Sequence, residues 1–176
     1  HWQSGVLLNC ACHLLDLLLW TCGPVKRVVG SRLQYQPGCG KVDSAVHALL
    51  EMENGASILL ESLFSPLSGV GLRENGRDEM IELRGDEGLA RVQTTLWEQP
   101  MIQYPIAERW SEADHAWERY SPGPVDNMEQ QYRYIAGALG GSGETCPLAT
   151  AEEALRLDEL MQDIALAAAE DDKVTR

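Results

Sequence analysis

The dipeptide Asn54-Gly55 is the strongest turn signal in this chain, and it separates two stretches suited to β-strands. Residues 44–53 alternate in side-chain direction before it, and the apolar-rich stretch 56–64 follows it. Asn-Gly favours a two-residue hairpin turn because both residues accept a positive φ, and such a turn joins antiparallel neighbours. The middle of the chain is therefore predicted to contain an antiparallel sheet.

The segments around this hairpin predict an α+β fold. A helix at residues 5–21 ends at Gly23-Pro24, and it is apolar nearly all round, so we expect it to be sandwiched between layers. Strands are predicted at residues 25–35, 44–53, 56–64, 79–84, 89–96 and 101–110, and helices at 127–139 and from the capping box 150–153 onward. We expect a large, open, mostly antiparallel sheet with helices on one face, and a homo-oligomer formed through the other face.

The charge balance limits the partners of the chain. Its 176 residues suit one domain, and 27 acidic against 14 basic residues give a formal net charge of −13. Nucleic acids and anionic membranes both favour clustered Lys and Arg, so neither partner is expected. The apolar stretch 6–20 is shorter than the ~20 residues of a membrane span and is interrupted by polar residues.

The five cysteines predict a cytoplasmic protein without a metal site. Their number is odd, and no Cys-x-x-Cys pair occurs, which is typical of reduced thiols. Cys10 and Cys12 lie beside His13, but residues i and i+2 of a helix diverge by about 200°, so they cannot share a metal ion.

Three polar residues share one face of the otherwise apolar first helix. Asn9, His13 and Asp16 are spaced i, i+4 and i+7, within about 60° of one another. One interpretation is a buried polar seam in which His13 bonds Asp16 or a loop carbonyl. The other is a cleft in which His13 is the general acid/base, Asn9 orients it or binds a substrate hydroxyl, and Asp16 fixes its tautomer.

A family resemblance favours the second interpretation. Residues 5–16, Gly-Val-Leu-Leu-Asn-Cys-Ala-Cys-His-Leu-Leu-Asp, resemble the signature Gly-Gly-Gly-x-Leu-x-Asp-x-Gly-x-His-x-x-Asp of the glucose-fructose oxidoreductase / inositol dehydrogenase / rhizopine-catabolism (Gfo/Idh/MocA) family. Further segments resemble the family in the same order, namely residues 23–25, 42–45, 53–56, 81–88 and 147–154.

The resemblance implies a fold like the C-terminal domain of dihydrodipicolinate reductase and a role as a substrate-binding and oligomerisation domain spanning residues 1–176. It implies that the full-length protein has an N-terminal Rossmann domain, absent from this chain, and uses NAD or NADP to oxidise a sugar or cyclitol hydroxyl. His13 takes the position of the family's catalytic histidine. By itself the chain is then expected to bind no cofactor and to be inactive.

One departure from the signature leaves the activity open. Asn9 stands where the family has Asp, and an amide cannot accept a proton, so Asn9 can only orient His13 or the substrate. An NAD-dependent glycosidase of the same fold and a non-catalytic regulatory or scaffold relative are therefore alternatives to a dehydrogenase.

Overall fold

The computed structural model describes residues 5–38, 40, 42–64, 79–94, 105–121, 123, 126–141 and 149–174. The chain divides into two compact units. Residues 1–64 and 149–176 make the first, and residues 65–148 make the second.

The first unit joins a three-stranded antiparallel sheet to helices that cover one of its faces. A π-helical turn, Leu7–Ala11, runs directly into helix α1, and together they form one helical segment, residues 7–22. The elements are α1 (Cys12–Cys22), β1 (Val25–Tyr35), β2 (Asp43–Met52), β3 (Ser57–Leu63) and α3 (Ala151–Val174). The sheet has the order β1-β2-β3, and the long helix α3 packs on β1 while the π-helical turn contacts β2 and β3.

Alternation along β2 explains why this face is covered. Every second residue of its central part is buried against the helices, because successive strand side chains point to opposite faces. The residues of this buried row are Val46, Ala48, Leu50 and Met52. Val46, Ala48 and Leu50 join Leu15 of α1 and Ile164 of α3 in a single apolar core.

The opposite face of the same sheet carries charged pairs and exposed leucines. Cross-strand partners Leu49 and Leu59 lie there, and Leu59 is 79% exposed. On the same face Nε2 of His47 lies 3.4 Å from a carboxylate oxygen of Glu61 on the neighbouring strand. No described helix of this unit covers that face.

The second unit holds a four-stranded antiparallel meander with the order β4-β5-β6-β7. Its strands are β4 (Glu79–Gly85), β5 (Gly88–Thr94), β6 (Ile106–Ser111) and β7 (Ala116–Tyr120), and helix α2 (Asn127–Leu139) follows them. Asp126 caps α2, since its Oδ1 accepts a hydrogen bond of 2.9 Å from the backbone N–H of Glu129.

The α+β class and the antiparallel pairing are confirmed, and several local predictions are confirmed with them. Strand β1 spans residues 25–35 as predicted, and Thr150 and Glu153 bond each other's backbone N–H groups as a capping box. The hairpin at Asn54-Gly55 is also present, but its turn differs from the expected two-residue type, because Gly55 has a φ of 88° and Asn54 has no positive φ, and the N–H of Met52 bonds the carbonyl of Ala56 across three residues. The described strands form two sheets where one was expected. The hairpin between β6 and β7 was not predicted, because its turn contains neither Gly nor Pro.

Candidate functional site

The helical segment at residues 7–22 buries one side and exposes the other. Its buried residues follow the helical spacing that places side chains on one face, and they are Leu7, Ala11, Leu15 and Leu18. Asn9 and His13 are exposed on the outer side, and Trp20, one helical turn before the Gly23 stop, is 80% exposed. The imidazole of His13 is therefore accessible to a small molecule.

Asn9 and His13 are both exposed, and they lie in a local geometry that the sequence did not indicate. Asn9 lies inside the π-helical turn, and His13 lies in the first turn of α1. A π-helical turn takes more residues than the 3.6 of an α-helix, so a spacing of four residues comes close to one full turn. Single π-helical turns of this kind occur frequently at functional sites.

Asp16 does not make the predicted contact with His13. Its side chain is half-buried, and among the described residues no hydrogen bond or ion pair joins it to His13. Its charge is felt instead by the thiol of Cys12, one helical turn earlier, whose pKa is raised chiefly by burial and to a lesser extent by Cys10 and Asp16. The Cys12 thiol is thus protonated at neutral pH.

A carboxylate from the sheet holds the start of the helical segment. Oδ2 of Asp43, the first residue of β2, accepts a hydrogen bond of 2.7 Å from the backbone N–H of Leu7. Gly5 makes this approach possible, because a Cβ at Gly5 would lie 1.7 Å from Oδ1 of Asp43. Neither Asp43 nor Gly5 was predicted as part of the site, since no local pattern in the sequence links Asp43 to Leu7, 36 residues earlier.

An amide from the sheet holds the other end. Nδ2 of Asn54 donates a 3.0 Å hydrogen bond to the carbonyl oxygen of Cys22, the last residue of α1. Oδ1 of Asn54 accepts a bond of 3.0 Å from the backbone N–H of Ala56, which closes the hairpin turn. The hairpin that defines the sheet therefore also fixes the end of the helix that carries His13.

The other histidines lie outside this site. His47 faces Glu61 on the open face of the three-stranded sheet, and His115 has a φ of 48° in the turn between β6 and β7. In the described parts of the chain, no three His, Cys, Asp or Glu side chains are arranged to hold a metal ion. Cys39 and Cys146 lie outside the described residues.

The second unit has a polar cluster on one face of its sheet. Glu108 accepts hydrogen bonds from Arg119 at 2.6 Å and Arg91 at 2.7 Å, and these two arginines, Arg119 first, lower its pKa. The Arg91 guanidinium also stacks over Trp117, 4.9 Å from the ring centroid. Trp117 meets Trp110 edge-on with centroids 5.9 Å apart. Each of these polar groups already has a partner within the sheet.

Gly140 ends helix α2, whereas a dinucleotide is held by a glycine-rich loop that leads from a strand into a helix N-terminus.

Among the described helices, none is both long enough and apolar enough to cross a membrane.

Comparison with protein families gives a match over the part of the chain that carries this site. The family described as the GFO/IDH/MocA C-terminal domain matches residues 1–91. Comparison with curated proteins gives no match.

Solved structures of oxidoreductases share the fold. An oxidoreductase from Agrobacterium radiobacter in complex with NAD+, L-tartaric acid and magnesium is 16% identical with a TM-score of 0.70, over 95% of this chain and 48% of that chain. The WlbA dehydrogenase from Bordetella pertussis in complex with NADH and UDP-GlcNAcA is 21% identical with a TM-score of 0.63, over 97% and 44%. The Chromobacterium violaceum WlbA, with the same two ligands, is 20% identical with a TM-score of 0.60, over 96% and 45%. This chain spans less than half of each of these three proteins.

Proposed function

Because the chain belongs to the GFO/IDH/MocA C-terminal domain family, we propose that it is the substrate-side half of an NAD(P)-dependent oxidoreductase acting on a hydroxyl group of a sugar or cyclitol. The observation that carries the proposal is the exposed pair Asn9 and His13 on the outer side of a helix fixed at both ends. In this proposal residues 1–176 bind the substrate, and a nucleotide-binding domain outside this chain holds the cofactor.

His13 has the chemistry that the substrate hydroxyl requires. When an alcohol is oxidised, its carbon loses a hydride and its oxygen loses a proton; a bound nicotinamide supplies the hydride acceptor. A neutral imidazole can take the proton from the hydroxyl at physiological pH, and its exposed position lets a hydroxyl reach it. In the reverse direction the imidazolium returns the proton to the oxygen.

Asn9 and Asp16 have supporting roles in this proposal. The Asn9 amide can donate to a substrate oxygen and accept from a hydroxyl, but it cannot take the proton, so it orients the substrate one turn away from His13. Asp16 is half-buried at the side of the same face and can accept a hydrogen bond from a second hydroxyl of a sugar or cyclitol. The WlbA dehydrogenases, which share the fold, bind UDP-GlcNAcA, a sugar nucleotide.

The open face of the three-stranded sheet supports a homo-oligomer. Leu49, Leu59 and Leu63 are exposed there, and exposed apolar side chains grouped on one face are often covered by another protein. We also propose a cytoplasmic location, which fits the free thiols of Cys10, Cys12 and Cys22.

The proposal is tested by joining the chain to a nucleotide-binding domain and following NAD+ or NADP+ reduction with inositols, hexoses and UDP-sugars. His13→Asn should lower kcat/KM about 10²- to 10⁴-fold, the usual contribution of a general acid/base. His115→Asn is the matched control, because His115 is an exposed histidine of the other unit and Asn accepts its positive φ. Equal loss in both variants, or turnover that survives in His13→Asn, would refute the assignment.

A non-catalytic regulatory role is the second candidate, and the amide at Asn9 favours it, because the family signature has a carboxylate at this position. It predicts that a sugar or cyclitol binds at His13 and is not oxidised in the presence of NAD+ or NADP+. Ligand-induced changes in the NMR resonances of His13, in a protein that reduces neither NAD+ nor NADP+, would support this candidate over the dehydrogenase.

A further inference from the structure

We propose that Asp43 is a positioning residue for the face that carries Asn9 and His13. Its carboxylate fixes the height and rotation of the π-helical turn from which Asn9 projects and which leads directly to His13. The role of this face in substrate binding rests on the proposed function, whereas the contacts of Asp43 do not depend on any activity.

The carboxylate is held on a rigid support. Asp43 begins the central strand β2, which pairs with β1 on one side and β3 on the other. Its 2.7 Å bond to the Leu7 N–H joins a charged acceptor to a backbone donor, a type of hydrogen bond stronger than one between neutral groups. The first N–H groups of a helix have no partner within the helix, and a negative charge at this end is favourable.

The chain preceding the helix is shaped to admit this carboxylate. A Cβ at Gly5 would lie 1.7 Å from Oδ1, 2.2 Å from Cγ and 2.6 Å from the backbone nitrogen of Asp43. All three distances are far below a normal contact, so any side chain at Gly5 would displace the carboxylate. The glycine is therefore required by the position of Asp43 and not by the helix alone.

The same short network includes Asn9. The backbone N–H of Asn9 donates a hydrogen bond of 3.0 Å to the carbonyl oxygen of Gly5. Gly5, which packs on Asp43, is thus bonded to Asn9, and Leu7, which is bonded to Asp43, lies between them in the chain. A displacement of the carboxylate is transmitted to Asn9 through one hydrogen bond.

The two ends of one strand control the two ends of the helical segment. Asp43 opens β2 and binds Leu7, and Asn54 follows β2 and binds Cys22. If the Asp43 contact is lost while the Asn54 contact remains, the segment can tilt about its far end. The polar face would then move relative to the sheet, although the apolar core would keep the helix packed.

Asp43 has no competing electrostatic role in the described parts of the chain, where it takes part in no ion pair. Two substitutions therefore separate the contribution of its acceptor oxygen from the contribution of its charge. Asp43→Asn removes the charge and retains an oxygen that can accept from Leu7, whereas Asp43→Ala removes both. Gly5→Ala leaves Asp43 chemically intact and displaces it.

The experiment compares these three variants by NMR in the folded chain, following the side-chain resonances of Asn9 and His13 and amide hydrogen exchange across residues 7–13. Asp43→Ala should shift the resonances and speed exchange about fivefold, the equivalent of losing one helix cap. Its melting temperature should fall by about 2–4 °C. Asp43→Asn should fall between wild type and Asp43→Ala, because it keeps the acceptor oxygen and loses the charge, and Gly5→Ala should reproduce the changes seen in Asp43→Ala.

Asp126→Ala is the matched control, because Asp126 caps helix α2 through the same kind of bond to Glu129. It should speed exchange at the start of α2 and leave the His13 resonances unchanged. If Gly5→Ala does not fold, the comparison of Asp43→Ala with Asp43→Asn decides the question. The proposal is overturned if folded Asp43→Ala shows wild-type resonances for Asn9 and His13, or if Asp126→Ala shifts them equally.

The same samples separate this inference from the proposed function. Titration with myo-inositol and UDP-GlcNAcA shows whether the face binds a ligand. Shifted resonances in Asp43→Ala together with no ligand binding to wild type support the positioning role and reject the proposed substrate class. Binding that depends on His13, together with unmoved resonances in Asp43→Ala, rejects the positioning role alone.

Discussion

The Ser31 hydroxyl on strand β1 donates a hydrogen bond to the backbone carbonyl of Ile164 on helix α3, 133 residues away in the sequence. Ser31 is only 6% exposed, and it is the one buried polar side chain found among the described residues. Ile164 lies at 0% exposure in the apolar core. The bond therefore fixes where along β1 the helix packs, which apolar contacts alone specify less sharply.

Ser31→Ala should lower the free energy of unfolding by about 1 kcal/mol, the usual net contribution of one hydrogen bond. Ser57→Ala is the control, because Ser57 is an exposed strand residue, and such changes stay within about 0.5 kcal/mol. Urea titrations with an unchanged m-value give both numbers. Equal stability of the two variants would show that the buried bond contributes nothing.

Two variants at Asn54 separate its two hydrogen bonds. Asn54→Asp keeps an oxygen for the N–H of Ala56 but loses the donor to Cys22, whereas Asn54→Ala loses both. We expect each lost bond to cost about 1 kcal/mol, and Asn54→Asp also places a carboxylate beside the Cys22 carbonyl at the negative end of α1, so both variants should be less stable than wild type. Faster amide exchange at the end of α1 should occur in both variants. Exchange that is unchanged in Asn54→Asp would exclude Asn54 as an anchor of the helix.

The pH dependence of the second unit should depend on Glu108. Its pKa is lower in the folded protein than in the unfolded chain, so its stabilising effect is complete above the ordinary glutamate pKa of about 4.3. That stability is lost as the pH falls through the lower folded-state value. Glu108→Gln should be less stable at neutral pH and should lose less on acidification, as should Arg119→Met. Parallel acid titration curves for wild type and Glu108→Gln, followed by tryptophan fluorescence, would contradict this.

The proposed oligomer depends on the leucines of the open sheet face. Leu59→Lys replaces an exposed leucine there with a charge that meets its symmetry mate across a two-fold interface. Leu155→Lys is the control, because Leu155 is 58% exposed on α3, away from that face. Light scattering should give a smaller assembly for Leu59→Lys only. A monomeric wild-type protein, or an unchanged mass for Leu59→Lys, would reject an interface at this face.

Asn9→Asp tests whether the amide limits the chemistry. A carboxylate one turn before His13 can accept a proton, which the amide cannot, so the joined enzyme should turn over at least about tenfold faster. Asn9→Ser, which also cannot act as a base near neutral pH, should not gain activity. If both substitutions slow turnover, the amide itself is the group that the substrate requires.

Contacts between residues that are neighbours in the chain were predictable from the sequence, whereas contacts between residues far apart in the chain were not. The hairpin at Asn54-Gly55 and the Thr150–Glu153 capping box depend on neighbouring residues, and the structure confirms both. The first helix was expected to be sandwiched between layers, but its outer side is exposed at Asn9, His13 and Trp20. The bond between Asp43 and Leu7 spans 36 residues, so no local pattern could reveal it. The π-helical turn could not be predicted either, because its residues have the same apolar composition as the α-helix that follows it.

The second unit, residues 65–148, is inserted between β3 and α3, and this insertion determines the order in which the protein can fold during synthesis. The meander pairs neighbours in sequence, so it can form as soon as β7 leaves the ribosome. Ile164 of the first unit is synthesised only after the meander, and until then the apolar side of β1 is not covered by α3. Slow translation before residue 164 would therefore lengthen the time during which this apolar surface is exposed to aggregation.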